Sequence, residues 1–380
     1  MVAVTDKCSY CGLENEIARS FCKKCGYPVN AATVGDFTDE EKASVWRSLC
    51  DLYVQTKAEL SHKTYSAPDI LNDYPLLQRY LGYFWLRPMS GLWDTVVGTQ
   101  LSKVDFTEPS LDIGCGDGIF ASMFLGTEYA DDFDISFGLK SEGKDLFDHY
   151  EPGAFSRFVK KRPKRPFDLG IDIKESLVQK AAESGAYRNT RIDDGVLLES
   201  IPSGTIGSAW SNVIKNFDDI NMALSNVHRV LKPGGFLVAQ LPLPSLLDNL
   251  YYYPQYLAET DGQKKLDLWK MTRGEPAYHP RYLSAEDWTA KVLEAGFADA
   301  QVLGYVVNRY LLRMWDVDFR LVVRELAQFS RFLDRMHALP MVKGAIVEWL
   351  MRESIPLLNY EKSAGHSENY SFVLLKAVKQ

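Results

Sequence analysis

The chain has 380 residues, 46% of them apolar and 24% charged, and a formal net charge of −7. That length exceeds one ordinary domain, and the composition is that of a soluble globular protein with a full-sized core. The negative balance argues against a large nucleic-acid footprint, no apolar run reaches the roughly 18–20 residues of a membrane span, and no basic-then-apolar leader opens the chain, so a cytoplasmic location is expected.

Residues 1–30 are rich in cysteine and turn formers and too short to build a core alone. "CSYCG" (8–12) and "CKKCG" (22–26) hold four of the six cysteines. In a reducing compartment such pairs read as metal ligands and not as a disulfide framework. Cys8, Cys11, Cys22 and Cys25 supply four thiolates for one tetrahedral ion, and the set is similar to a short zinc ribbon. Four protein ligands leave no open position, so this Zn2+ would be structural and would contribute most of the segment's folding free energy. Iron uses the same ligands. Cys50 and Cys115 fall outside the pattern and read as small buried residues.

Residues 31–105 form a helical lead-in. The stretch 38–60 starts with Thr38 as N-cap and Glu41 three residues on, and Val45, Leu49, Leu52 and Val54 suggest one buried face. Residues 61–105 carry Tyr, Trp and Pro in quantity. From 108 onward short apolar runs alternate with helical patterns, which predicts an α/β fold with a parallel sheet covered by helices. Strands are expected near 110–113, 167–171, 206–210, 236–241, 299–306 and 370–378. "LKPGGFLVAQL" reads as a helix stop, a Pro-Gly-Gly turn and a buried strand. Two inserts interrupt the scheme, 126–166 and 243–283, and the mostly helical 308–360 separates the last two strands. The domain plan is then 1–30, 31–105, a core over 106–306, and a helical cap with a final strand over 307–380.

In "LDIGCGDGIF" (111–120) a strand runs into a glycine turn that feeds a helix, a geometry that brings backbone N–H groups close to a ligand. The dinucleotide fingerprint needs G-x-G-x-x-G. Here the spacing is Gly114, Gly116, Gly118, with Ile119 following and Asp112 two residues ahead. "LDIGCGDG" resembles the first motif of class I S-adenosylmethionine-dependent methyltransferases, and "RVLKPGGFL" (229–237) resembles the stretch leading into their fifth strand. Asp172 closes the second strand, Asp193 and Asp194 follow the third, and "SAWSNVIKNFDDI" covers the fourth strand and its loop. The resemblance spans roughly 108–306 plus the final strand. It implies a doubly wound, mostly parallel, seven-stranded Rossmann-like sheet and S-adenosylmethionine as cofactor. It also implies that Asp112, Gly114, Cys115, Gly116 and Gly118 line the methionine and ribose part, and that Asp172 accepts from both ribose hydroxyls. Asp193 or Asp194 would meet the adenine, with Gly195 beside them and Ser211 at the end of the fourth strand.

Methyl transfer from a sulfonium needs alignment and exclusion of water, and a base only where the acceptor holds its proton. Ligands bind at the carboxyl ends of parallel strands, so 243–283 and 308–360 are expected to roof the acceptor site. The tyrosine-rich "LYYYPQYL" and "EPAYHPRYL" make His279 the candidate general base, with Tyr278 and Tyr251–Tyr253 as pocket walls; an ordinary loop histidine fits the same sequence. "KN" at 215–216 stands where many relatives have "EH". His228 reads as structural. Asp218 and Asp219 read as a helix start more readily than as a magnesium site. "KKRPKR" (160–165) suits a phosphate, an anionic surface or a solvated loop. The amphipathic run 319–358 suits a cap, a dimer face or a peripheral membrane contact. The expected function is methylation of a small or carrier-linked acceptor, such as a sugar or lipid headgroup at oxygen. RNA methylation, quinone C-methylation and a non-catalytic cofactor-binding scaffold are the alternatives.

Overall fold

The computed structural model describes residues 5–7, 14–16, 38–60, 67–135, 152–153, 155–271, 282–317 and 323–380. Cys8, Cys11, Cys22, Cys25, Tyr278 and His279 lie outside these residues.

Seven strands make the central sheet: β1 Ser110–Ile113, β2 Phe167–Asp172, β3 Tyr187–Ile192, β4 Ile206–Ser211, β5 Leu231–Pro242, β6 Asp299–Asn308 and β7 Tyr370–Val378. Their order is β6-β7-β5-β4-β1-β2-β3. The pairs β4–β1, β1–β2, β2–β3 and β4–β5 are parallel, and β7 runs antiparallel between β5 and β6. This is the expected doubly wound, mostly parallel arrangement. The strand order reverses between β1 and β4, and the carboxyl ends of those two strands open the crevice where such sheets bind ligands.

The helices follow in chain order: α1 Asp39–Leu60, α2 Ala67–Asp73, α3 Leu77–Tyr83, α4 Pro88–Leu101, α5 Ile119–Leu125, α6 Glu175–Glu183, α7 Ile220–Val230, α8 Ser245–Asn249, α9 Tyr252–Ala258, α10 Gly262–Met271, α11 Ala285–Glu294, α12 Arg309–Val317, α13 Val323–Arg335 and α14 Leu339–Ser363. Helix α1 begins with the predicted reciprocal cap, the Thr38 amide donating to Glu41 and the Glu41 amide donating to Thr38 Oγ1. Its buried residues are Val45, Leu52, Thr56 and Leu60, while Val54 is 65% exposed. The intervals of seven and four keep that stripe on one face, and Val54 falls off it.

The Pro-Gly-Gly stretch is not a turn ahead of β5. It is a bulge within it, where pairing with β4 jumps from Ile206–Leu231 to Ser208–Phe236 and Gly234 takes φ +74°. A bulge admits proline inside a strand because the ladder bond is already interrupted.

The helical segments between β5 and β7 are anchored by buried carboxylates. Asp316 of α12 accepts from the amides of Tyr251 and Tyr252 at 3.0 and 3.1 Å, holding α9 against α12. Glu361 of α14 accepts from the amides of Val307 and Asn308, each at 2.7 Å, and from Asn308 Nδ2 at 2.8 Å. Val307 has φ +64°, a strained geometry for a β-branched residue, and the carboxylate holds it there. Among the described residues no helix is long and apolar enough to cross a membrane.

Candidate active site

β1 delivers the glycine loop to the crevice. Gly114, Gly116 and Gly118 have φ of +76°, +57° and +78°, a left-handed path that side chains resist. The amides of Gly114 and Cys115 both donate to the Ile171 carbonyl at 2.8 Å, stitching the loop to the end of β2. A Cβ at Gly114 would lie 2.0 Å from Val213 Cγ2, whereas one at Gly116 would meet nothing within 4 Å. Gly116 therefore faces open crevice.

Asp172 ends β2 directly beneath. Its Oδ2 accepts from the Gly116 amide at 3.1 Å and its Oδ1 from the Lys174 amide at 3.0 Å. Asp112 is 3% exposed and accepts from the Tyr187 hydroxyl at 2.6 Å. Tyr187 begins the edge strand β3 and reaches β1 by crossing over Gly170 of β2, where a Cβ would lie 2.8 Å from its ring. The pattern around the motif gave no sign of this tyrosine.

The crevice is acidic. Burial pushes the Asp112 carboxyl up to about 7, against the Tyr187 hydrogen bond, and the charge of Asp172 adds to the rise. Burial also raises Asp172, with Asp117 nearby raising it further. Asp117 is raised by burial, although it accepts from the Ile119 amide and feels Lys180. Asp94 of α4 is held well above the usual carboxylate range by burial and then by Asp117, with Arg87 opposing. Four carboxylates thus share one low-dielectric space around the loop, an arrangement suited to a cation. A diphosphate would be repelled, since Asp117 occupies the first free amide of α5 where a dinucleotide places that group.

On the β2–β3 side the crevice widens into a cavity of about 500 Å³ whose lining includes Gly114, Asp172, Asp194, Asn216, Phe217 and Met222. Asp193 also lines it, but accepts from the Asp194 amide at 2.9 Å and from the Ser200 hydroxyl. Asp194 uses Oδ1 on the Val196 amide at 2.7 Å. Gly195 lies against Phe217, where a Cβ would come within 2.6 Å of the ring. Asn216 has its Oδ1 buried and without a hydrogen bond.

The Ser211 hydroxyl donates to the Ile113 carbonyl at 2.9 Å and accepts from the amides of Val213 and Ile214, so it fastens β4 to β1 behind the cavity wall. Cys115 is buried beneath the loop, its thiol 3.7 Å from the Gly116 carbonyl. Asp219 caps α7 through the Met222 amide at 2.9 Å. His228 packs edge-on to Phe297 at 5.3 Å. Within the basic run, Lys160, Lys161 and Arg165 pair with Asp131, Glu128 and Asp105. No group of three potential ligands for a metal occurs among the described residues.

A family model described as a methyltransferase domain matches residues 100–302, just over half of the 380 residues. The chain belongs to this family. Its sheet has the strand order of the class I methyltransferase fold. The malonyl-[acyl-carrier protein] O-methyltransferase of Alcanivorax borkumensis is 27% identical over 143 residues, 37% of this chain and 43% of that protein. The chain therefore spans less than half the length of this curated relative. Among solved structures, phosphoethanolamine N-methyltransferase 2 of Haemonchus contortus shares 15% identity, with 83% of this chain and 60% of that one covered and a TM-score of 0.37. A possible histamine N-methyltransferase of Thermotoga maritima shares 15%, covering 60% and 83%, with a TM-score of 0.35. The acidic crevice and the unfilled space over Gly116 fit the methyltransferase cofactor, whose sulfonium and ammonium are both positive.

Proposed function

We propose that the methyltransferase transfers its methyl group to a small or carrier-linked acceptor. The observation that carries this reading is the local neutralisation of the basic run 160–165, where Lys160, Lys161 and Arg165, three of its five cations, meet acids and reduce its grip on a polyanion. The likeness to an enzyme named for a carrier-linked acceptor supports the same class.

In this reading Asp172 holds the ribose hydroxyls, Asp194 with Phe217 and Met222 frames the adenine, and Asn216 Oδ1 takes an N–H of the bound nucleoside. Asp94 and Asp117 face the ammonium and Arg87 the carboxylate of the methionine part. When bound, the cofactor supplies an activated methyl with a neutral leaving group. The chain's task is to aim an acceptor at that methyl and exclude water. His279 and Tyr278 remain the proposed base and wall on the insert after β5, and Cys8, Cys11, Cys22 and Cys25 the proposed ligands of a structural zinc ion. Incubation with methyl-labelled cofactor and fractionated cell extract tests the acceptor class. Label in small-molecule, lipid or carrier-protein pools is expected, and label confined to RNA would reject it.

A further inference from the structure

One cation near the crevice has no acid to answer it. Lys215 follows β4 in the one-turn helix Ile214–Asn216 and is largely buried. Its Nζ donates to the Asn212 carbonyl and lies 5.2 Å from the centre of the Phe372 ring. No carboxylate lies within ion-pair distance of it among the described residues. Burial alone pushes its ammonium down to about 7. An ammonium has three donors, and a desolvated one is costly unless a counter-charge meets it.

Aromatic rings surround that amine. Trp93 of α4 packs 4.9 Å from Phe372 and 4.8 Å from Trp315 of α12. The register pairs Trp210 with Val238 and Gln240 with Leu374, and alternation then puts Trp210, Gln240 and Phe372 on one face of the sheet. Gln240 is 1% exposed and its Nε2 has no hydrogen-bond partner. Two buried donors, one charged and one neutral, therefore adjoin the same aromatic face. The ammonium has N–H groups beyond the one on Asn212, and these with Gln240 Nε2 select an acceptor-only group, while the aromatic rings select an apolar body behind it.

We infer that Lys215 and Gln240 bind the carboxylate of an aliphatic acid and that this carboxylate is the methyl acceptor. The inference deepens the acceptor reading above and rests on it. The chemistry balances without a base, so in this reading His279 has no proton to take and serves only as part of the wall. A carboxylate oxygen attacks the methyl carbon, the carbon–sulfur bond breaks with its electron pair passing to sulfur, and a neutral methyl ester leaves beside S-adenosylhomocysteine. No proton has to be removed, which accords with "KN" at 215–216. Loss of negative charge on methylation also weakens the grip of Lys215 and favours product release.

The test uses the full chain with methyl-tritiated S-adenosylmethionine and saturated monocarboxylates from butyrate to palmitate, with octanol and octylamine as uncharged and cationic comparators. The expected result is base-labile label, released as methanol, from at least one carboxylate and none from the comparators. Lys215→Met is expected to lower kcat/KM for the acid by about 100-fold and Lys215→Arg by no more than about tenfold. Gln240→Leu lies between them, and all three keep the S-adenosylhomocysteine Kd within about twofold, which also certifies folding. Label entering octanol or octylamine instead, no ester from any acid, or an unchanged Lys215→Met rate overturns the carboxylate assignment. Label confined to RNA in the extract experiment would instead reject the acceptor class on which it rests.

Discussion

Gly116→Ala separates the cofactor role of the loop from its structural role. At Gly116 the added methyl meets no atom within 4 Å, so the folded protein bears only the left-handed backbone penalty at φ +57°. That penalty is roughly 1–2 kcal/mol, partly offset by about 0.4–1 kcal/mol of lost freedom in the unfolded chain. The net loss is about 1 kcal/mol, a fall in Tm of about 1–3 °C for a chain of this size. The new methyl would stand in the space reserved for the nucleoside, and displacing the ligand by even 2 kcal/mol raises Kd about 30-fold. Calorimetric titration with S-adenosylhomocysteine and a thermal melt of the same sample measure both quantities. Gly114→Ala is the contrast: its methyl would lie 2.0 Å from Val213 Cγ2, so it should lower Tm far more. If Gly116→Ala binds within threefold of wild type while melting normally, the nucleoside does not lie over that glycine and the placement is wrong.

Three further outcomes are expected. Asp112 and Glu361 ionise near 4 when unfolded and near 7 when folded, because burial raises both. Between those values the unfolded chain holds fewer protons, so stability should fall as pH climbs from about 4 to 7 and level off above; urea titrations across that range should show it, with a shallower slope for Asp112→Asn. Tyr187→Phe removes the 2.6 Å bond to Asp112 and should destabilise by about 1–3 kcal/mol, since a buried acceptor is left unmatched; an unchanged urea midpoint would refute that role. Elemental analysis of the purified chain should find about one zinc per chain, lost in Cys22→Ser or Cys25→Ser; a metal-free, fully folded chain would count against the ribbon.

The sheet was legible where burial wrote itself into the residues. β1, β4 and the core of β5 are buried along their whole length, and each falls where the sequence pattern places it. β3 left no such trace. Only Tyr187 of "YRNTRI" is buried, because an edge strand has one covered face and charged residues such as Arg188 and Arg191 discourage further pairing. It followed from the family resemblance, not from periodicity. The glycines and Asp172 were readable because their roles are local to one turn. Asp94, Tyr187, Lys215 and Gln240 were not, since each matters through a partner on another element, and only the register of the sheet brings those partners together. Ser211 was placed in the right turn, yet its hydroxyl serves the backbone there.

Glu361 clamps the end of β6 by gripping two consecutive amides and the Asn308 side chain from the last turn of a long helix. Swinging α14 outward would strand a buried carboxylate and release Val307 from its strained geometry in one event, so that side of the molecule behaves as a fixed jamb. Asp316 plays the same part for the start of α9, taking two consecutive amides from within α12. Two carboxylates, each closed over a pair of adjacent peptides, thus pin the helical segments between β5 and β7.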